Sequence, residues 1–359
     1  MTQSNLIDGK SVLVTGGTGS FGREFVRTLL ARYKPARLAV FSRDELKQFE
    51  MSQDFNTPEM RYFMGDVRDR ERVRMAFRGV DVVIHAAALK HVPAAEYNPM
   101  ECIRTNVSGA ENVISAAIDN EVAHVIALST DKAVSPVNLY GASKLASDKL
   151  FIAANNIAGG HATRFSVVRY GNVIGSRGSV LPLFRKLLSE GCRELPVTDP
   201  RMTRFWLRLE DGVDFVLQSL ERMVGGEVFV PKIPSIYITD LVKALDPNVG
   251  IRVVGIRPGE KLHEVMFCRE DARYVLDFGT HYVIQPAISF SEPLDYQLNP
   301  LGESGFPPLE IEDYSSGTNS HFLSVEEIRA LNERCNSESP TAIHTYGSRP
   351  AGAALGGLA

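Results

Sequence analysis

Short apolar runs alternate with longer stretches of helical period through the first half of the chain. Ser11-Val12-Leu13-Val14 reads as a buried strand, and the same pattern predicts strands at Leu38 to Phe41, Arg61 to Met64, Val80 to Ile84, His124 to Leu128 and Phe165 to Tyr170. Phe21, Phe25, Leu29 and Tyr33 recur at helical spacing, and Asn98 to Asn120 and Tyr140 to Ala154 read as further helices. This alternation implies an α/β fold with a mostly parallel sheet covered on both faces. Ligands of such sheets gather beyond the carboxyl ends of the strands.

After Tyr170 the alternation fades. Helices are expected at Ser179 to Glu190 and Asp211 to Met223, with breakers at Pro196 to Pro200 and Pro231 to Pro234. The chain of 359 residues, 44% hydrophobic, has material for about two lobes of roughly 150 residues. We read residues 1–172 as a Rossmann-type, doubly wound dinucleotide-binding part. Residues 173–335 form a smaller C-terminal substrate-binding lobe with returns to the sheet, and 336–359, rich in Ser, Gly, Ala and Pro, form a disordered tail.

Charge and cysteine content narrow the partners. A formal charge of −4 without a basic run gives no field for nucleic acid or an anionic membrane. The polar start, Met1 to Lys10, is unlike a signal peptide, and no apolar stretch approaches about 18 residues, so a soluble cytoplasmic protein is expected. Cys102, Cys192, Cys268 and Cys335 are too far apart for a Cys-x-x-Cys motif or a dense disulfide framework, which fits a reducing compartment. His263 has no partners in sequence for a metal, and none is expected.

The first strand runs into Thr15-Gly16-Gly17-Thr18-Gly19-Ser20-Phe21-Gly22 and then a helix. Thr15, Gly16, Gly19, Ser20, Phe21 and Gly22 thus become candidates for a dinucleotide pyrophosphate, because glycines let backbone amides approach it and the helix start favours its charge. The second strand ends in Phe41-Ser42-Arg43, where an NAD site would carry an acidic residue. Ser42, Arg43 and Lys47 suit the 2′-phosphate of NADP, although Asp44 argues the other way. Asp66 could accept from the adenine amino group, with Val67 beside it. Ala86 and Ala87 let a cofactor lie against the backbone, and Lys90 could reach ribose hydroxyls, phosphates or substrate.

The chemistry concentrates in Ser129 to Lys144. Tyr140 and Lys144 stand four apart, hence on one helix face, where the ammonium can lower the phenol pKa and help it take a proton from a sugar hydroxyl. Asp131 and Lys132 follow a strand directly and add a second acid/base pair, suited to expelling water.

Gly16-x-x-Gly19-x-x-Gly22 with Tyr140-x-x-x-Lys144 resembles the extended short-chain dehydrogenase/reductase superfamily of nucleotide-sugar enzymes. Thr130-Asp131-Lys132, where retaining relatives carry Thr-Asp-Glu, is similar to the inverting UDP-N-acetylglucosamine 4,6-dehydratases that begin pseudaminic acid synthesis. The likeness runs from about Gly9 to the segment Arg257-Pro258-Gly259-Glu260-Lys261-Leu262-His263-Glu264 and on toward Gln285. It implies a tightly held NADP recycled in each turnover. It further implies that Tyr140 takes the C4 hydroxyl proton, Thr130 donates to the C4 oxygen, Asp131 protonates the leaving C6 hydroxyl and Lys132 removes the C5 proton. An adjacent Asp-Lys salt bridge would oppose the neutral forms that the last two roles need. Tyr170-Gly171-Asn172-Val173 resembles the family's substrate turn, with Asn172 suited to a phosphate or sugar hydrogen bond, Val173 beside it in the substrate set, and the Gly178, Ser179 and Val180 backbone toward the uracil edge. Arg204 and Arg257 are diphosphate candidates by residue type, with Glu260 beside them in the substrate set. Helices Asn98 to Asn120 and Tyr140 to Ala154 occupy the place where this superfamily pairs subunits, so a homo-oligomer, dimer or larger, is expected. A UDP-sugar 4-epimerase is one rival, and it has no use for Asp131 and Lys132; a capsule-type dehydratase with added epimerase action is a closer one that shares this motif; a non-catalytic cofactor sensor would not need Tyr140 and Lys144 together.

Overall fold

The computed structural model describes residues 6–159, 161–176, 178–288, 294–308 and 312–337. Its centre is a nine-stranded sheet. In chain order its strands are β1 (Ser11–Thr15), β2 (Arg37–Ser42), β3 (Met60–Met64), β4 (Val82–His85), β5 (His124–Thr130), β6 (Arg164–Tyr170), β7 (Val228–Pro231), β8 (Val275–Asp277) and β9 (His281–Ile284). Their spatial order is β8-β9-β7-β6-β5-β4-β1-β2-β3. From β3 through β7 every pairing is parallel; β9 runs antiparallel to β7, and β8 to β9. The order reverses beside β1, so the loops after β1 and β4 part there and open a crevice. Val12, Leu13, Val14, Leu38, Val40, Val83, Ile84 and Ile126 are fully buried, as continuous apolar strands under two helical layers require.

Four sequence expectations shift. Strand β4 begins at Val82 rather than Val80, and β5 runs on through Ser129 and Thr130, which pair with Arg169 and Tyr170. The expected continuous helix from Asn98 to Asn120 is instead a helix at Pro99–Ile103, a wider five-residue π-type turn at Arg104–Ser108, and α2 (Gly109–Asp119). The helix Val325–Ser337 runs past the expected start of the tail, and residues 338–359 lie outside the described residues.

A second apolar cluster, including Leu181, Phe184, Trp206, Ile236 and Leu241, packs apart from the sheet's core. Around it stand a small sheet of Asn172–Val173, Thr203–Leu207 and Ser235–Tyr237, and the helices Val180–Ser189 and Ile238–Leu245. Among the described residues no helix is long and apolar enough to cross a membrane, and no group of His, Cys, Asp and Glu is placed to hold a metal ion.

Candidate active site at the carboxyl ends of the strands

A cavity of about 600 Å³ opens where the strands end, within the range of small-molecule sites. Gly16, Gly19, Ser20, Phe21 and Gly22 line one part of it. Gly16 has φ +66° and lies so close to the β4 loop that a Cβ would stand 2.8 Å from Ala87 Cα. Gly19 precedes α1 (Ser20–Arg32) and no side chain caps that helix. Its first amides are therefore left for an anion, and the turn fits a dinucleotide pyrophosphate. Thr15 sits behind the turn instead, buried, with Oγ1 2.8 Å from His85 Nδ1.

Ser42, Arg43, Lys47, Asp66 and Val67 line the β2 and β3 end of the cavity. Ser42 Oγ is 2.8 Å from Thr18 Oγ1. Asp44 turns away: it caps the helix Glu45–Asp54 by accepting from the Lys47 amide at 3.0 Å. Arg43 lies 3.5 Å from Asp66, and Arg68 binds the same carboxylate at 2.6 Å. Burial works against ionisation of Asp66, but the Arg68 contacts prevail and hold its pKa below the ordinary value.

Thr130, Lys132, Tyr140 and Lys144 meet in the middle of the cavity, with Ala86, Ala87 and Lys90 opposite. Tyr140 and Lys144 come from the first turns of α3 (Leu139–Ile157), which Asn138 caps by accepting from the Gly141 amide at 2.8 Å. Burial pushes the Tyr140 phenol up to about 12, against the lowering effect of the Lys132 ammonium and a Thr130 hydrogen bond. Burial lowers the Lys144 pKa, and Asp148, one turn on, opposes this. Asp148 in turn accepts from Ser129 Oγ at 2.6 Å and pairs with Arg169 at 3.2 Å, so the floor under the pair is ionic and buried.

Asp131 does not line the cavity; it is fully buried just behind Lys132. Its Oδ1 accepts from Thr130 Oγ1 and from Lys132 Nζ, each at 3.0 Å, while Oδ2 has no partner. Lys132 Nζ is also 3.0 Å from Glu264, a residue absent from the sequence-based site. Burial alone would lower the Lys132 pKa, but the Asp131 and Glu264 charges outweigh it and hold the ammonium above the ordinary lysine range. Burial raises the pKa of Asp131 despite the Lys132 charge, and the Glu264 anion adds to the rise. Burial also acts to raise Glu264, yet Lys132 and then Arg204 hold it low. Of the two carboxyl groups, Asp131 is thus shifted upward and Glu264 downward. Gly171, which lines the cavity, follows β6, and a Cβ there would stand 2.5 Å from Phe205 Cβ and 3.3 Å from both Asp131 Oδ2 and Met266 Cε.

Asn172, Val173, Gly178 and Ser179 line the far part of the cavity. The Asn172 Oδ1 and Ser179 Oγ atoms are buried without partners, and no side chain caps the helix that starts at Val180, itself outside the lining. Arg204, Arg257 and Glu260 are not brought to the cavity. Arg204 donates to the carbonyls of Thr203, Lys261 and Leu262 at 2.6 to 3.1 Å. Its guanidinium braces the 261–264 segment. Arg257 is exposed and lies 3.9 Å from Glu260. His263 hydrogen-bonds Thr203 Oγ1 at 2.8 Å, and Trp206 is core of the second cluster.

Asn106 is a second residue that sequence reasoning missed. It lies in the π-type turn, buried, with Oδ1 accepting from the Leu89 amide at 2.8 Å. Its Nδ2 donates to the Leu89 carbonyl and to Ser143 Oγ, both at 2.9 Å. One side chain thus pins the cavity wall after β4 to the helix that carries Tyr140 and Lys144.

Comparison with known proteins agrees with this architecture. The model of a family described as polysaccharide biosynthesis protein matches residues 12–286. The chain is 60% identical over 320 residues to the UDP-N-acetylglucosamine 4,6-dehydratase (inverting) of Campylobacter jejuni subsp. jejuni serotype O:2, covering 89% of this chain and 96% of that one. Among solved structures, Pen from Bacillus thuringiensis superposes with a TM-score of 0.82 at 34% identity, covering 92% of this chain and 99% of that chain. DesIV, a dTDP-glucose 4,6-dehydratase from Streptomyces venezuelae solved with NAD and TYD bound, gives 0.64 at 25% identity, over 78% of this chain and 93% of that one. With its doubly wound sheet, glycine turn and Tyr140–Lys144 helix, the chain belongs to the polysaccharide biosynthesis protein family of extended short-chain dehydrogenase/reductases.

Proposed function

We propose that the chain dehydrates UDP-N-acetylglucosamine across C5 and C6 with inversion at C5, giving the L-configured 4-keto-6-deoxy sugar nucleotide and holding NADP throughout. The observation that carries this reading is a lysine clamped to buried carboxylates, opening on the same cavity as the Tyr140–Lys144 pair. A nicotinamide dinucleotide, when bound, supplies reversible hydride acceptance. The glycine turn and the uncapped start of α1 hold its pyrophosphate, and Ser42, Arg43 and Lys47 hold the 2′-phosphate that distinguishes NADP. Asp66, Val67, Ala86, Ala87, Lys90 and Lys144 complete its binding.

Tyr140 removes the C4 hydroxyl proton while Thr130 donates to the C4 oxygen. The ketone so formed acidifies C5. Once a proton has passed from the Lys132 ammonium to Asp131 across their 3.0 Å contact, Lys132 takes the C5 proton, and Asp131, whose pKa burial raises, is the source of the proton for the departing C6 hydroxyl. Return of a proton to the opposite face of C5 sets the inverted configuration. The unpartnered Asn172 Oδ1 and the uncapped helix at Ser179 suit a sugar hydroxyl and the diphosphate. Residues 1–172 thus serve mainly the cofactor and 173–335 mainly the substrate. The protein works as a cytoplasmic homo-oligomer whose product enters pseudaminic acid synthesis.

Proton NMR and mass spectrometry of the product formed from UDP-N-acetylglucosamine in deuterated water test the reaction. The expected product has lost one water, carries deuterium at C5 and has L configuration. A product of unchanged mass would mean 4-epimerisation instead. Arg43→Ala is expected to weaken NADP about 10- to 100-fold by titration while leaving NAD little changed, since a charge-assisted contact is worth about 1.5–3 kcal/mol. Light scattering on the eluted protein checks the assembly.

A further inference from the structure

Asp131 supplies the proton for the departing C6 hydroxyl, yet its side chain has no face on the cavity in which that hydroxyl must lie. It is 0% exposed. Its Oδ2 has no hydrogen-bond partner and lies against Gly171, 3.3 Å from where a Cβ would stand. Its Oδ1 accepts from two donors, Thr130 Oγ1 and Lys132 Nζ, each at 3.0 Å. Both donors line the cavity, so they are the hydrogen-bonded links from the buried carboxyl group to the substrate. Lys132 is occupied at C5, which leaves Thr130. That residue is firmly placed. It ends β5 in register with Tyr170, its Oγ1 accepts from the Lys132 amide at 3.3 Å, and its hydroxyl also hydrogen-bonds Tyr140.

We propose that Thr130 relays the acid's proton: Asp131 protonates the Thr130 oxygen while the Thr130 hydrogen passes to the departing C6 hydroxyl. This rests on the dehydration reading, with Asp131 the proton source and Lys132 the C5 base. In the resting protein the Thr130 hydroxyl donates to the carboxylate. Once Asp131 has taken the Lys132 proton, that hydrogen bond reverses, and the Thr130 hydrogen turns toward the C6 oxygen. A hydroxyl can do this because it both donates and accepts and its hydrogen rotates freely. In the elimination the C5–H bond breaks as an N–H bond forms on Lys132, and the C5–H electron pair closes C5=C6. The C6–O bond breaks with its electron pair going to oxygen. The former Thr130 O–H bond breaks as that oxygen becomes water, and the Asp131 O–H bond breaks as a new O–H bond forms on Thr130. Thr130 ends as the neutral hydroxyl it was, and Asp131 and Lys132 return to carboxylate and ammonium. Tyr140 by then carries the C4 proton and donates to the C4 oxygen in place of Thr130. One hydroxyl thus serves two oxygens of the sugar in turn.

UDP-6-deoxy-6-fluoro-N-acetylglucosamine separates the relay from the other duties of Thr130, because fluoride departs as a stable anion whereas hydroxide must be protonated. In single turnovers of the NADP-loaded protein, reduced nicotinamide appears on hydride transfer from C4 and disappears on hydride return to C6 after elimination. With the 6-hydroxyl substrate, Thr130→Val is expected to accumulate reduced nicotinamide and to lose it about 10²-fold more slowly than the wild type, the scale of a positioned acid. With the 6-fluoro substrate its decay is expected close to the wild-type rate. Thr130→Ser keeps the hydroxyl and should lag little with either substrate, whereas Lys132→Ala, lacking the base, should stay slow with both. A Thr130→Val decay as fast as that of the wild type with the 6-hydroxyl substrate, or equally slow with both substrates, overturns the proposal. Mixtures of light and heavy water give an answer from the wild type alone, even if the variants do not fold. The 6-hydroxyl rate divided by the 6-fluoro rate is expected to bow below a straight line as the deuterium fraction rises, since two hydrogens move together in the relay. A straight line, the mark of a single hydrogen passed directly from Asp131, overturns it. Should the wild type release no water from UDP-N-acetylglucosamine, the dehydration reading fails; water lost without these signatures sinks the relay alone.

Discussion

Tyr140 and Lys144 share the first turns of one helix, whereas Asp131 and Lys132 form a three-membered charged set only with Glu264, which comes from a distant part of the chain. The first pair is assembled by helical geometry, and beneath it Asp148 of the same helix pairs with Arg169 of β6. The second is assembled by the docking of one part of the chain on another. Hydride chemistry should therefore tolerate loosening of the C-terminal part, and elimination should not. Each of the following measurements can break that contrast or sharpen it.

The largest effect is expected from Tyr140→Phe, which removes the proposed proton acceptor at C4. Turnover should fall about 10³-fold or more, within the 10²–10⁴ typical of positioned acid–base groups and their coupled steps, and reduced nicotinamide should not appear in a single turnover. Lys132→Ala is expected to cost dehydration about 10²- to 10⁴-fold while reduced nicotinamide still forms from substrate. Loss of both signals in Lys132→Ala would erase the distinction between the two sets. Asn106→Ala strands the part-buried Leu89 amide and carbonyl, and urea unfolding should show a loss of about 1–3 kcal/mol.

The smallest effect concerns pH. Burial first, then the Lys144 charge, depresses His85 from 6.5 to about 3. Between those values the unfolded chain binds a proton that the folded protein refuses, so the stability present above pH 6.5 drains away as pH falls toward 3. The slope is at most about 1.4 kcal/mol per pH unit. His85→Gln should flatten it, as urea midpoints at pH 7 and pH 5 would reveal.

The parallel strands were legible because both of their faces are buried, which forces unbroken apolar runs. Their polar ends were not: an apolar criterion stops β5 at Leu128, yet Ser129 and Thr130 continue the ladder with Arg169 and Tyr170. Helical period likewise hides the π-type turn around Asn106, since one extra residue in a turn leaves the apolar pattern on either side intact. Tyr140 and Lys144 announced themselves by spacing. Arg204 misled because residue type alone cannot reveal that three carbonyls already occupy its donors. Glu264 carried no local signal, because what matters in it is a contact made through the fold.

Gly171 has a consequence for how such a catalyst can change. The wall behind Asp131 is filled to atomic contact by Phe205 and Met266, and even one added methyl would press on the carboxylate. Any larger residue at position 171 would therefore narrow the chamber and crowd Asp131 at once. Variation in what the cavity accepts is left to its other lining, around Asn172 and Ser179, where buried polar atoms still lack partners.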